Sequence, residues 1–302
     1  MTELTPAKLG EINELGEAEA QADFARCAPP EYARLTRMQG KRFGSVMVGM
    51  IPLLDTPFFN RIQGLGIGAP ASEAILDEAI AVFQKAGCRN YMAQVSPLAE
   101  PSQLPEWLAA RGLKPSRNWA KMYRGDEPAP VIPTSLRLQE IGKDQAEAFA
   151  DVILAAFGMP AILHPLMKGI VGQPGWHNYM AFDGETPAAA ASMFVHDEVV
   201  WLGNMGTLKK YRKRGAQGAL QAMRIEAGRT LGCKWFVTET GEDSPEDPNP
   251  SYHNMLRTGF KLAYLRRNYV HQPPSSLGKA VSRVLIVAGT TLRLKSQRLR
   301  QR

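Results

Sequence analysis

The sequence predicts an α/β fold, a mixed twisted sheet with helices on both faces, built from two related units. Three observations predict it: strand-like and helix-like segments alternate along the chain, their order repeats at an offset of roughly 145 residues, and a proline-rich break separates the copies. Each copy runs strand, glycine-bearing loop, helix, strand, helix, strand.

In the first copy, residues 6–25 alternate Ala, Leu and Glu as a helix does, and residues 43–51 read as a strand containing Gly44 and Gly49. A second strand is expected over 58–67. An amphipathic helix over 72–85 follows, with Ser72 as its N-cap and Gly87 as its stop. Tyr91-Met92-Ala93-Gln94-Val95 is the next strand, a short helix ends at Arg111-Gly112, and the aromatic strand 119–124 closes the unit. Asp126-Glu127-Pro128-Ala129-Pro130-Val131-Ile132-Pro133 then excludes regular structure, because three prolines remove donors and fix φ.

The second copy begins with a strand over 136–141, a helix over 144–157 and a hairpin over 179–196 turning at Asp183-Gly184-Glu185. Val199-Val200-Trp201-Leu202 opens a buried strand running to Thr207, and residues 219–231 are helix-former sequence ending at Gly232. Strand 234–238, helix 251–257 and strand 262–270 complete it. The helix stops correspond, Gly87-Cys88 in the first copy and Gly232-Cys233 in the second. The expected division is 1–130 for a degenerate unit, 134–271 for a complete one and 272–302 for a basic tail.

Composition narrows the function classes. A chain of 302 residues with 44% hydrophobic and 22% charged residues is globular and not dominated by disorder. The net charge of +7 is concentrated at the end: Lys279, Arg283, Arg293, Lys295, Arg298, Arg300 and Arg302 follow Pro274 with no acidic residue among them, so the body is neutral. Such a tail is read as a solvated charge run, and no nucleic-acid partner or stable membrane association is expected; residues 281–294 could form a docking or weak lipid-surface helix. Cys27, Cys88 and Cys233 are widely spaced, so a disulfide framework and a zinc site are not expected. Met1-Thr2-Glu3-Leu4 lacks a basic segment before an apolar run, and no stretch of about eighteen apolar residues occurs, so a cytoplasmic protein is expected.

The most informative stretch is Arg212-Lys213-Arg214-Gly215-Ala216-Gln217-Gly218-Ala219, three cations and two glycines between a strand and a helix. A helix N-terminus offers unpaired N–H groups and the positive end of a dipole, which suits a pyrophosphate. Lys209 and Lys210 add charge. The corresponding Gly64-Leu65-Gly66-Ile67-Gly68 of the first copy has no cation and is followed by Pro70; it reads as a structural turn rather than a dinucleotide site, since no acidic residue follows the next strand.

Arg212-x-x-Gly215-x-Gln217 resembles the acyl-CoA signature of the GNAT N-acetyltransferase superfamily, Arg-x-x-Gly-x-(Gly or Ala), in a tandem form whose first copy is degenerate. Gln217 departs from the third position, in a variant followed by a small residue and Ala219-Leu220. The resemblance covers about residues 135–270. It implies an acyl-CoA-dependent N-acetyltransferase using acetyl-CoA and no metal, with Met205, Gly206 and Thr207 on the strand that carries the pantetheine arm. Arg212, Lys213, Arg214, Gly215, Ala216, Gln217 and Gly218 would hold the phosphates, and Asn254 the pantetheine or phosphate. Asn249, before Pro250, is otherwise a natural N-cap.

Transfer to an amine by direct attack needs a base and an acid for the leaving thiolate. Glu239, at the end of strand 234–238, is the candidate base, directly or through a water; the bland reading is a solvated loop carboxylate. The family often places a Tyr where Met255 stands, so the acid is assigned to Tyr264, Tyr252 or to no dedicated group. Residues 160–173 with Trp176-His177 are specificity candidates, and His164, His177 and His253 are too isolated to imply a metal. The acceptor is a small-molecule or peptide amine and a homodimer is possible; the alternative is a catalytically silent acyl-CoA sensor.

Overall fold

The computed structural model describes residues 4–271. The tail, with the expected helix over 281–294, lies outside them.

Helix α1 (Pro6–Gly10), a π-helical turn (Glu11–Leu15) and α2 (Gly16–Arg26) follow one another with helical backbone throughout, forming one rod; α3 (Pro30–Thr36) follows. Thr5 caps the rod, accepting from the Lys8 N–H at 3.2 Å. The rest of the first copy is β1 (Gln39–Phe43), β2 (Val46–Met50), β3 (Arg61–Gln63), α4 (Glu73–Ala86), β4 (Tyr91–Val95), α5 (Leu104–Ala110), β5 (Lys114–Pro115) and β6 (Trp119–Arg124). Leu76, Ala79, Ile80 and Phe83 form the buried stripe of α4, at helical spacing. Two expectations are corrected. Residues 43–51 span the turn of the hairpin between β1 and β2, and the strand expected over 58–67 is only three residues long because Gly64 and Gly66 take positive φ and turn the chain away.

The second copy contains β7 (Arg137–Ile141), α6 (Ala146–Phe157), α7 (His164–Gly169), β8 (Trp176–Asp183), β9 (Thr186–His196), β10 (Val199–Thr207), α8 (Ala216–Thr230), β11 (Trp235–Gly241), α9 (Pro250–Arg257) and β12 (Lys261–His271). Alternation along its strands fills two cores. Trp201 and Val237 face α6 with Phe149 and Ile153, while Val200 and Phe236 face α8 with Leu220 and Ile225.

The twelve strands of the described residues join one sheet, in the order β1-β2-β3-β4-β12-β6-β11-β10-β9-β8-β7 with β5 beside β12. Each copy lends its last strand to the other. β6 pairs antiparallel with β11, Phe236 opposite Arg124 through Gly241 opposite Trp119, while the far half of β12 pairs with β4, from Arg267 opposite Val95 to His271 opposite Tyr91. The simpler expectation, that each copy closes on its own aromatic strand, is therefore corrected.

The N-terminal rod packs against both copies. Gly10 lies against Ile67 and Leu98 of the first, and Gly16 against Val199 and Val237 of the second, where a Cβ would stand 3.0 Å from Val199. Farther along, Asp23 accepts the Trp176 indole N–H at 2.8 Å and Glu19 pairs with Arg42 at 2.8 Å.

Candidate acyl-CoA site at the second fork

β10 and β11 start as a parallel pair, Val199–Trp201 against Trp235–Val237, and then separate. One further tie follows, the Thr238 hydroxyl donating to the Leu202 carbonyl at 2.8 Å. Beyond it the β11-facing edge of β10, including Met205, Gly206 and Thr207, makes no ladder bonds among the described residues. The other edge stays paired with β9, with a shift in register between Gly203 and Gly206. Gly206 packs beneath α6: a Cβ there would stand 2.6 Å from that of Ala156. The glycine is thus needed for packing, a role the sequence did not suggest.

The turn after β10 is not buried. Arg212 and Lys213 are exposed, and the Arg212 Nε donates back to the Thr207 carbonyl at 3.3 Å. Lys213 and Gly215 both take positive φ, 65° and 80°. Gly215 is the N-cap of α8, and among the described residues no side chain caps this 15-residue helix. Its first N–H groups, those of Ala216, Gln217 and Gly218, are the ones a helix leaves without an intrahelical partner. Arg214 is engaged elsewhere, on Ser135 at 2.8 Å and Asp183 at 3.0 Å, and the Arg214 hydrogen bond holds the Asp183 carboxyl below its ordinary range. The glycines also answer to the linker: a Cβ on Gly215 would collide with the Pro133 carbonyl, and one on Gly218 would stand 2.9 Å from Ile132.

α9 is fastened to this turn. Gln217 donates to Ser251 at 3.2 Å and accepts from Asn254 at 2.7 Å, and Asn254 accepts from Arg257 at 2.8 Å, so both Asn254 polar atoms are engaged. Asn249 caps α9 through Ser251 N–H at 2.9 Å and donates to the Gly241 carbonyl at 2.7 Å, joining the free end of β11 to the helix.

Glu239 enters a cluster of three carboxylates and three cations drawn from five segments. Arg266 donates to it, with Lys121 at 3.6 Å and Arg61 at 3.9 Å. Glu17 of the rod lies behind, 2.5 Å from Lys121 and 2.6 Å from Arg266, and Glu14 accepts from Arg266 at 3.0 Å. Lys121, Arg266, Glu14 and Glu17 are buried, whereas the Glu239 side chain is 16% exposed. Burial and the Glu17 charge push the Glu239 carboxyl up, to about 7, against the pull of its cations. For Glu17 the balance is opposite: burial opposes ionisation, but Arg266 and Lys121 hold it well below the ordinary carboxylate range.

The tyrosines fare differently. Tyr264 is buried with its hydroxyl donating to Glu14 at 2.9 Å, and burial together with that carboxylate raises its pKa well above the usual phenol range. Tyr252 is half-buried on α9, edge-on to His253, and packs on the α8 side of the sheet. Trp176 belongs to the core, and His177 pairs with Glu140 at 2.8 Å. A cavity of about 410 Å³, lined by His164, Pro165, Lys168 and Gln173 among others, follows the 160–173 stretch and shares no residue with the turn.

Sequence reading missed Glu14, Glu17, Arg61, Lys121 and Arg266. A signal existed for the first two: on a helix rich in Ala and Leu, two carboxylates one turn apart can face inward as well as out.

The first copy contains the same fork, closed. β3 and β4 pair only at Arg61–Met92 and Ile62–Ala93. Glu100 then fills the loop, donating its N–H to the Gly66 carbonyl at 2.9 Å, while Gln63 donates to Glu17 at 2.9 Å. Helix α4 is capped by Ser72, which accepts from the Ile75 N–H at 3.2 Å.

The sequence matches no protein-family model and no curated protein. Its structure is similar to several solved ones. A GCN5-related N-acetyltransferase from Kribbella flavida superposes with a TM-score of 0.60 at 17% identity, covering 87% of this chain and 97% of that one. A tandem GNAT protein from the clavulanic acid biosynthesis pathway gives 0.54 at 17% identity, covering 78% and 82%. A GCN5-related N-acetyltransferase from Sphaerobacter thermophilus gives 0.54 at 13%, covering 77% and 82%. The chain therefore has the GNAT fold, a large mixed α/β sheet with helices.

Proposed function

We propose that the protein is an acyl-CoA-dependent N-acyltransferase, with acetyl-CoA as donor and a primary amine as acceptor. The observation that carries this reading is the uncapped start of α8, placed at the end of a strand whose edge is free and flanked by exposed Arg212 and Lys213. A diphosphate fits there because N–H groups, the helix dipole and two cations all favour negative charge. The pantetheine arm would lie along Met205–Thr207, bonded to backbone groups that β11 leaves unpaired.

Glu239 then acts as base. With a carboxyl near 7 it can accept the ammonium proton of the acceptor, directly or through water, at neutral pH. The amine nitrogen attacks the thioester carbonyl, the carbon–sulfur bond breaks, and the thiolate takes up a proton from the pool the amine has released. No tyrosine is given this last step: Tyr264 is spent on Glu14, and its raised pKa makes it a poor donor at neutral pH.

A second reading, an acyl-CoA sensor without turnover, is favoured by the direct pairing of Glu239 with Arg266. Calorimetric titration with acetyl-CoA, followed by a scan of amines for thiol release, separates them. Binding with release supports the transferase; binding without release for any amine supports the sensor; no binding contradicts both.

A further inference from the structure

Arg224, in the middle of α8, is among the largest fully buried side chains of the protein. Its Nη1 donates to the Ser192 carbonyl at 2.7 Å and lies 3.4 Å from the Gly203 carbonyl; its Nε donates to Leu220 at 3.2 Å and its Nη2 lies 2.9 Å from the Met205 sulfur. Among the described residues no carboxylate pairs with it, and burial lowers its pKa to about 9. A buried guanidinium without an anion is costly, and an apolar side chain would fill an internal helix face more cheaply. What it holds is the irregular part of β10. The Ser192 hydroxyl also reaches the Gly203 carbonyl, at 3.4 Å, and accepts from Asn204 at 3.0 Å, while Asn204 takes a positive φ of 44° that a non-glycine residue rarely adopts.

The first copy supplies a control within the same chain. α4 and α8 end alike, the Cys88 N–H bonding the Phe83 carbonyl and the Cys233 N–H the Gly228 carbonyl. Aligning Gly87 with Gly232 brings Ile80 opposite Ile225 and Ala79 opposite Arg224. β3, the strand in Ala79's copy of the fork, pairs with β2 over only three residues before Gly64 and Gly66 turn the chain away, whereas β10 continues to Thr207 past a shift in register against β9 between Gly203 and Gly206. The arginine occurs where the strand continues past an irregularity, and the alanine where the strand ends.

We propose that Arg224 is a positioning residue: it holds the paired Ser192 and Gly203 carbonyls where β9 and β10 shift register, and so sets the direction of the free backbone edge, from Asn204 to Thr207, along which a thioester is aligned. Its consequence for turnover rests on the acyl-CoA reading; its effect on the backbone does not.

The test uses the full chain with Arg224→Met and Arg224→Lys, compared by backbone amide spectra before and after acetyl-CoA is added. The amides of residues 203–206 should move in Arg224→Met while those of 216–218 stay, with Arg224→Lys intermediate. Acetyl-CoA affinity should fall by less than turnover, because the pantetheine contacts along the edge are displaced while the phosphate seat is separate. Thiol release should fall about 100-fold, the scale of a small misplacement at a reacting centre, with partial recovery in Arg224→Lys. Unmoved amides at 203–206 overturn the proposal, as does a rate loss matched by an equal loss of acetyl-CoA affinity. Should Arg224→Met not fold, Arg224→Lys decides by the same amides. Absence of any acetyl-CoA response in the unaltered protein contradicts the acyl-CoA reading alone, since the amide comparison still tests Arg224.

Discussion

The two forks of this sheet differ less in topology than in what was put at their ends. At β3 and β4 the glycine turn is packed against Glu100, the helix that follows is capped by Ser72, and Gln63 is tied to the rod through Glu17. At β10 and β11 the turn carries Arg212 and Lys213, and α8 starts from Gly215 with no side-chain cap. A serine hydroxyl and a substrate phosphate compete for the same N–H groups, so a self-capped helix is a poor anion seat and an uncapped one a good one. On the proposed reading, the comparison teaches that a few local changes separate a fork that is closed as scaffold from one that is open to an anion. The scaffold copy is not dispensable: it lends β6 to the second copy and contributes Arg61, Lys121 and the rod carboxylates to the surroundings of Glu239.

The largest expected effect comes from breaking that shared cluster. Lys121→Ala leaves Glu17 short of a buried partner and should cost about 3–5 kcal/mol in urea unfolding, in a single transition because the exchanged strands unite the copies. Next, Arg212→Ala with Lys213→Ala should weaken acetyl-CoA binding by about 1.5–3 kcal/mol in calorimetry while leaving the melting temperature unchanged, since both side chains are exposed. The mirror experiment at the closed fork reverses the pattern. Ser72→Ala should lower stability by about 1 kcal/mol and leave acetyl-CoA binding intact.

The smallest effect is on protonation. The Glu239 carboxyl should titrate near 7 in carbon-detected spectra, charged above and neutral below, so a base role predicts turnover rising with pH through that value. Glu17→Gln removes a negative neighbour from a site that also faces Arg61, Lys121, Arg266 and Glu14, so the midpoint should fall and the rise in turnover should move to lower pH.

Much of this was legible in the residues. The order of elements, the glycine stops of α4 and α8, and the cationic turn follow from periodicity and local chemistry, which act over a few residues. Strand exchange was not legible, because strands 119–124 and 262–270 are both apolar and aromatic enough to pair within either copy. The charge cluster was hidden for a related reason: Glu14 and Glu17 look like the solvent face of an Ala-rich helix, and only the crossing of the rod over β6 and β12 turns them inward. The cationic turn and its strand assign Gly206, Gly215 and Gly218 to a ligand, yet α6 and the linker at Ile132 and Pro133 also require them. Arg224 gave no signal, since an arginine among helix formers usually reaches solvent.

The most direct measurement is an acetyl-CoA titration followed at individual backbone amides. The account predicts saturable shifts at Ala216, Gln217 and Gly218, with the 64–68 turn silent. Saturable binding that moves residues 64–68 and leaves 216–218 unchanged, or no binding at all, would contradict it.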